Sequence, residues 1–230
     1  MIETSGLHTF RRYDGELTSL HQIVLEMGEA ALSQLAGALS AFREGDLEAA
    51  RNVISKDAEL DRLEVSGDAE IIRVISRNAP QACDLRRIIT VSKSVSDLEK
   101  IGDEAVRIAS ILLEIERADA GSIGIDLIAE VSRVGDMALD HLRTALGLFE
   151  VWDLSQAYSV CEGHRQMDGV FRQELHRVMT EIFENRFDVS LAVSFVLVTK
   201  SLDRIAHHAS NLAEYAIFEM SGDDVRLTQP

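Results

Sequence analysis

The chain has 230 residues, with 23 Lys and Arg against 39 Asp and Glu, a formal net charge of −16. Nucleic-acid backbones and anionic leaflets are bound through Lys and Arg, so this balance excludes both as partners and favours metal cations or basic proteins. At 46% hydrophobic and 27% charged residues the chain buries a sizeable core, and with only Pro80 and Pro230 as prolines and 5% aromatics it reads as all-helical rather than as a sandwich or barrel.

In chain order, Leu17, Leu20, Val24, Met27, Leu32, Leu35, Leu39 and Phe42 recur at helical spacing and mark helix one from about Tyr13 to Arg43. Gly45-Asp46 supplies a turn and an N-cap. Helix two follows from Leu47 to about Arg77, carried by Val53, Leu60, Leu63, Ile71, Val74 and Ile75, and ends at Asn78-Ala79-Pro80 because Pro disfavours helical geometry in the residue before it. Asp84 caps helix three or lies in its first turn, and that helix runs to about Arg117. Ala118 to Gly124 is a linker broken by Gly121 and Gly124. The scheme then repeats: a helix near Ile125–Glu150, a turn at Trp152-Asp153, a helix near Leu154–Glu184, a turn at Asn185–Asp188 and a last helix to about Met220. The expected architecture is two three-helix bundles in tandem, residues 1–118 and 119–230, with short connections making neighbouring helices antiparallel.

The longest charge-free run, Val189 to Thr199, is about half the length of a membrane span, and no apolar N-terminal region follows a basic one. Cys83 and Cys161 form no metal or disulfide pattern, so they read as reduced helix residues of a cytoplasmic protein.

The duplication is visible by direct comparison: residues 27–63 lie over 134–170 with twelve identities, among them Leu39/Leu146, Phe42/Phe149, Asp46/Asp153 and Asp61/Asp168. After a three-residue slip, Leu98 to Ala105 lies over Leu202 to Ala209. Helices two and three of the first half each carry an acidic pair at i, i+4, Asp57/Asp61 and Glu99/Asp103, which puts both carboxylates of a pair on one face. Both pairs are equally far from Pro80, so an antiparallel hairpin brings them level. His164/Asp168 and Asp203/His207 are equally far from the Asn185-Arg186 turn and meet in the same way. Glu99 and Asp103 lie roughly 130–170° from the apolar stripe of their helix, at about 100° per residue.

Four like charges at one height repel one another unless a cation resides there. Carboxylates suit hard or borderline cations such as Fe, Mn, Mg or Ca, whereas imidazole shifts the preference towards Zn, Ni or Fe, so the two sites need not hold the same metal. Open coordination positions would also bind an anion such as phosphate. A purely solvated acidic face, and a polar surface role for His207 and His208, are the alternatives from the residues alone; His8, His21, His141 and His176 have no matching partners and read as surface or satisfied residues.

No GxGxxG, GxxxxGK[ST], HExxH or GxSxG occurs, and no His has Glu three positions before it, which argues against a di-iron oxidase. A metal-dependent enzyme or metal store on surface carboxylates is one reading of these acids.

Asp84-Leu85-Arg86, then Asp97-Leu98-Glu99-Lys100-Ile101-Gly102-Asp103-Glu104-Ala105 and Ile108-Ala109, resemble the DLR…dLERiGDxAxxIA pattern of the PhoU family of phosphate-transport regulators. Leu202-Asp203-Arg204-Ile205-Ala206-His207-His208-Ala209-Ser210-Asn211-Leu212-Ala213-Glu214 resembles the family's second-repeat pattern, and Phe10 to Leu17 with Met27-Gly28 its opening. The resemblance implies a cytoplasmic, dimeric, non-enzymatic protein that restrains phosphate uptake and represses phosphate-starvation genes. It would do so by linking the nucleotide-binding subunit of the phosphate ABC transporter to a sensor histidine kinase. It also implies multinuclear iron or zinc clusters on E(D)xxxD motifs, a role that falls on Asp57, Asp61, Glu99 and Asp103. The second repeat departs from that pattern at His164 and His207 while keeping Asp168 and Asp203.

Overall fold

The computed structural model describes residues 3–117, 125–183 and 189–225, with the side chains of 3–12, 125–127 and 181–183 left aside. Helices run as α1 (Glu3–Glu44), α2 (Leu47–Ser55), α3 (Asp57–Asn78), α4 (Ala82–Arg117), α5 (Ile125–Glu150), α6 (Leu154–Phe183) and α7 (Val189–Ser221). The expected linker at Ala118–Gly124, the 118/119 boundary, the end of the fifth predicted helix at Glu184 and the turn at Asn185–Asp188 lie outside the described residues.

The local signals in the sequence act as expected at the ends of the helices. Asp46 caps α2 by accepting from the Glu48 and Ala49 amides at 2.9 and 3.0 Å, and Asp153 caps α6 from Ser155 and Gln156 at the same distances. Ala79 takes a left-handed conformation at φ 44 before Pro80 and closes α3. Asp84 sits in the first turn of α4.

Three expectations change. Helix one begins at Glu3 rather than Tyr13, and the single helix two is divided at Lys56 into α2 and α3. At that break the Ser55 hydroxyl donates to the Asn52 carbonyl at 2.8 Å, a local bond that competes with the helix ladder. Ile75, expected in the core, is 41% exposed because its neighbour Val74 takes the inward position.

Four helices form a central ring in which α1 packs on α4, α4 on α7, α7 on α5 and α5 on α1. The α2–α3 segment covers α1 and α4, and α6 covers α5 and α7. One continuous apolar core runs through both halves, with Phe42 of α1 meeting Phe195 of α7 edge to face at 5.6 Å. Helices α4 and α7 are antiparallel: Arg87 meets Glu219, Thr90 meets Tyr215, Asp97 meets His208 and Glu104 meets Arg204. Ile101 and Ile205, equivalent in the two repeats, are fully buried at the middle of this crossing.

The contact between the first helices has the same symmetry. Gly28 of α1 receives Leu146 of α5, and Gly135 of α5 receives Leu39 of α1; a Cβ at either glycine would collide with the leucine's Cδ2. Both glycines and both leucines are equivalent pairs of the duplication, so the repeats face each other across a local twofold axis.

Candidate metal centres

In the first repeat, Gly102 lets α3 come down on α4. A Cβ there would strike Leu60 Cδ2 and approach Gln34 Oε1 to 2.8 Å. This close contact sets the acids of α3 level with those of α4, as the distances from Pro80 required. Asp57, Asp61, Glu99 and Asp103 act electrostatically on one another, and two residues missed by the sequence reading, Glu64 and Asp68, extend the group. Burial, then Asp103, Glu64 and Asp61, push the Glu99 carboxyl up to about 7, with Lys100 opposing. Asp103 is raised by burial, then by Asp61 and Glu104, and Asp57 by burial, then Asp61 and Asp103. Glu64 was legible in retrospect: it lies one turn beyond Asp61 on the same side of α3.

The second repeat gathers a different set. The His164 ring on α6 lies 5.6 Å from that of His207 on α7, centroid to centroid, and its Nε2 is 3.7 Å from Asp168 Oδ1. Burial lowers the His164 pKa, Asp168 and Asp203 oppose that, and His207 adds to it. His141, expected to be a surface or satisfied residue, is buried, hydrogen-bonded and part of this group: its ring stacks on His164 at 6.3 Å, and burial followed by His164 pushes its pKa down to about 4. His208 borders the group: its ring lies 5.8 Å from that of His207, centroid to centroid. Half-buried rather than a free surface residue, its Nδ1 lies 3.2 Å from Asp97 Oδ1.

Asp97 joins the repeats. Only 4% exposed, it also accepts from Asn211 Nδ2 and Tyr215 Oη, both at 3.0 Å, and from Lys100 Nζ at 3.2 Å. Burial alone would raise its pKa, but the hydrogen bonds from His208, Asn211 and Tyr215 bring it down to about 2. The signal was an acid on the same stripe as Ile101 and Ala105, where a charge needs partners. Asp84 and Arg86 lie about 20 Å from Glu99 along α4, at 1.5 Å per residue, and belong to neither group. Arg86 rests its guanidinium against Gly222 at the end of α7.

The family pattern implies metals, and the donors fit them. The first group offers only oxygens, held close against their own repulsion. The second offers imidazole as well, and His164 Nδ1 is buried with no hydrogen-bond partner, a nitrogen that a cation would satisfy. Among the described residues no three His, Cys, Asp or Glu side chains already converge as a cage, so uptake of an ion requires them to turn inward.

The PhoU domain model matches residues 24–112 and 131–216, one match in each repeat. The phosphate-specific transport system accessory protein PhoU homolog of Pseudomonas putida is 33% identical over 98% of this chain and 88% of its own length. Its counterpart from Pseudomonas aeruginosa is 31% identical over 98% of this chain and 93% of its own. The crystal structure of PhoU from Pseudomonas aeruginosa superposes with a TM-score of 0.85 at 29% identity, covering 92% of this chain and all of that one. The phosphate transport system regulatory protein PhoU from Streptococcus pneumoniae has the same fold, with a TM-score of 0.83 at 24% identity over 93% of this chain. With a match in each half and relatives alike from end to end, the chain belongs to the PhoU domain family.

Proposed function

We propose that this protein restrains phosphate uptake and phosphate-starvation signalling as a metal-binding helical adaptor without catalytic activity of its own. The observation that carries the reading is the end-to-end similarity to accessory proteins of the phosphate-specific transport system, at 33% identity for the Pseudomonas putida relative. Its partners in this reading are the nucleotide-binding subunit of the phosphate ABC transporter and the phosphate-sensing histidine kinase, met in the cytoplasm by a homodimer. No helix among the described residues is long and apolar enough to cross a membrane, which fits recruitment to the transporter from one side.

The metal role falls on Asp57, Asp61, Glu99 and Asp103 in the first repeat, and on His164, Asp168, Asp203 and His207 in the second. Bound iron or zinc would neutralise acids that now raise one another's pKa and would leave open positions facing a partner. Asp97 and its donors on α7 tie α4 to α7, the helices that carry Glu99 and Asp103 in one repeat and Asp203 and His207 in the other.

The test is a strain lacking this gene, carrying a reporter of a phosphate-starvation promoter and grown with ample phosphate. The native gene should silence the reporter, and Glu99→Gln/Asp103→Asn should leave it partly on. Silencing that is absent with the native gene would refute the regulatory reading; full silencing by the variant would confine the first-repeat acids to another role.

A further inference from the structure

The two centres differ in a coordinated way. In the alignment that pairs Leu35 with Leu142, Gln34 of α1 is equivalent to His141 of α5, and Asp57 is equivalent to His164. In the alignment of the third helices, Asp103 is equivalent to His207. Three positions that carry oxygen donors in the first repeat therefore all carry imidazole in the second, while Asp61/Asp168 and Glu99/Asp203 keep a carboxylate. Drift at unrelated surface positions gives no reason for all three changes to run from oxygen to nitrogen.

The structure brings the three imidazoles together from three helices. Ring centroids are 6.3 Å apart between His141 and His164 and 5.6 Å apart between His164 and His207. Two imidazoles on one tetrahedral ion, with metal–nitrogen bonds near 2.1 Å, place their centroids roughly 5 Å apart, so both pairs must close in and turn their nitrogens together to share an ion. One tautomer of His141 satisfies both of the bonds drawn to Ser210. Ser210 Oγ–H donates to the Ala206 carbonyl at 3.1 Å, and so the same oxygen must accept from His141 Nε2–H at 2.8 Å. That leaves His141 Nδ1 with a free lone pair on the ring edge facing α6 at Gly163, the residue beside His164. The Ser210 bond is the outer-shell support that metal-ligating histidines characteristically have.

We infer that His141 is a third imidazole donor of the second-repeat centre, joining His164 and His207, and that this centre takes a borderline divalent transition metal such as zinc, cobalt or nickel rather than the hard cation suited to the first. The inference rests on the metal-binding reading above. It adds a ligand outside the E(D)xxxD positions and a metal class.

The test uses full-length protein with the first centre disabled by Asp61→Asn/Glu99→Gln/Asp103→Asn, loaded with one equivalent of zinc. X-ray absorption fine structure then counts the imidazoles on the metal. Three are expected. Two would overturn the role of His141 while leaving a metal centre in the second repeat, and the absence of bound zinc would overturn both this inference and the metal reading of that repeat. Competition titration of His141→Gln, which installs the residue the first repeat already carries there, should show zinc affinity reduced at least about tenfold. Unchanged affinity in a folded variant would return His141 to a packing role. The absorption measurement on unaltered His141 holds the inference to account even if that variant fails to fold.

Discussion

The first and second repeats are built on one helical plan, but their acidic and imidazole groups solve different electrostatic problems. In the first, carboxylates from α3 and α4 press on one another and Glu99 is pushed up to about 7. In the second, imidazoles replace several of those oxygens, and burial keeps His141 neutral by pushing it down to about 4. Equivalence is therefore preserved where packing demands it, at Gly28/Gly135 and Leu39/Leu146, and relaxed at the polar pairs Gln34/His141, Asp57/His164 and Asp103/His207. The shared apolar core that holds the fold together leaves the polar faces of the two halves free to differ.

The largest expected effect lies where the repeats are not equivalent. Asp97 anchors the α4–α7 contact, whereas its counterpart Ser201 is buried with an unpartnered hydroxyl. Asp97→Ala leaves His208, Asn211 and Tyr215 without their common acceptor and should cost about 3–5 kcal/mol in urea unfolding. Ser201→Ala should change stability by no more than about 1 kcal/mol. Equal effects would mean that the network does not key the interface.

The two repeats should also respond to acid with opposite sign in chelator-treated protein. Glu99 holds its proton up to about pH 7 when folded, above its ordinary 4.5, so the folded state binds more protons across that interval and stability falls as pH rises through it. The penalty is on the order of 1 kcal/mol for a half-exposed group in screening solvent. His141 runs the other way. Its folded value near 4 is below the ordinary 6.5, so the unfolded state binds more protons and stability is lost as pH falls from 6.5 towards 4, by about 2 kcal/mol. Thermal melts from pH 4.5 to 7 should therefore tilt upward with pH in Glu99→Gln and tilt downward in His141→Gln, relative to the native protein. Parallel profiles for the two variants would erase the distinction between the centres.

The smallest effects test equivalence itself. Asp46 and Asp153 cap their helices with the same pair of bonds at 2.9 and 3.0 Å. Asp46→Ala and Asp153→Ala should each cost about 1 kcal/mol in chemical denaturation. A difference well beyond a few tenths between them would show that the repeats do not share the same cooperative unit.

Most of the plan was readable in the residues. Gly45-Asp46, Ala79-Pro80 and Trp152-Asp153 marked their turns because cap and proline chemistry is local, and the distances from Pro80 set the first-repeat acids level because antiparallel hairpins conserve register. The break at Lys56 escaped because a single serine back-bond carries too little signal against a periodic apolar stripe. His141 and Asp97 escaped for a different reason. Each is a polar residue on an apolar face whose partners, Ser210 for one and His208, Asn211 and Tyr215 for the other, lie on a helix far away in sequence. Local spacing identifies such a residue as anomalous without saying what satisfies it.

The central claim, that the repeats hold two metal centres of different donor chemistry, is tested most directly by elemental analysis of protein purified without a histidine tag. The native protein should carry at least one equivalent of metal. Glu99→Gln/Asp103→Asn should lose the metal of the first centre, and Asp203→Asn/His207→Gln should lose a different element from the second. Native protein free of metal, or metal content indifferent to both pairs of substitutions, would contradict the account.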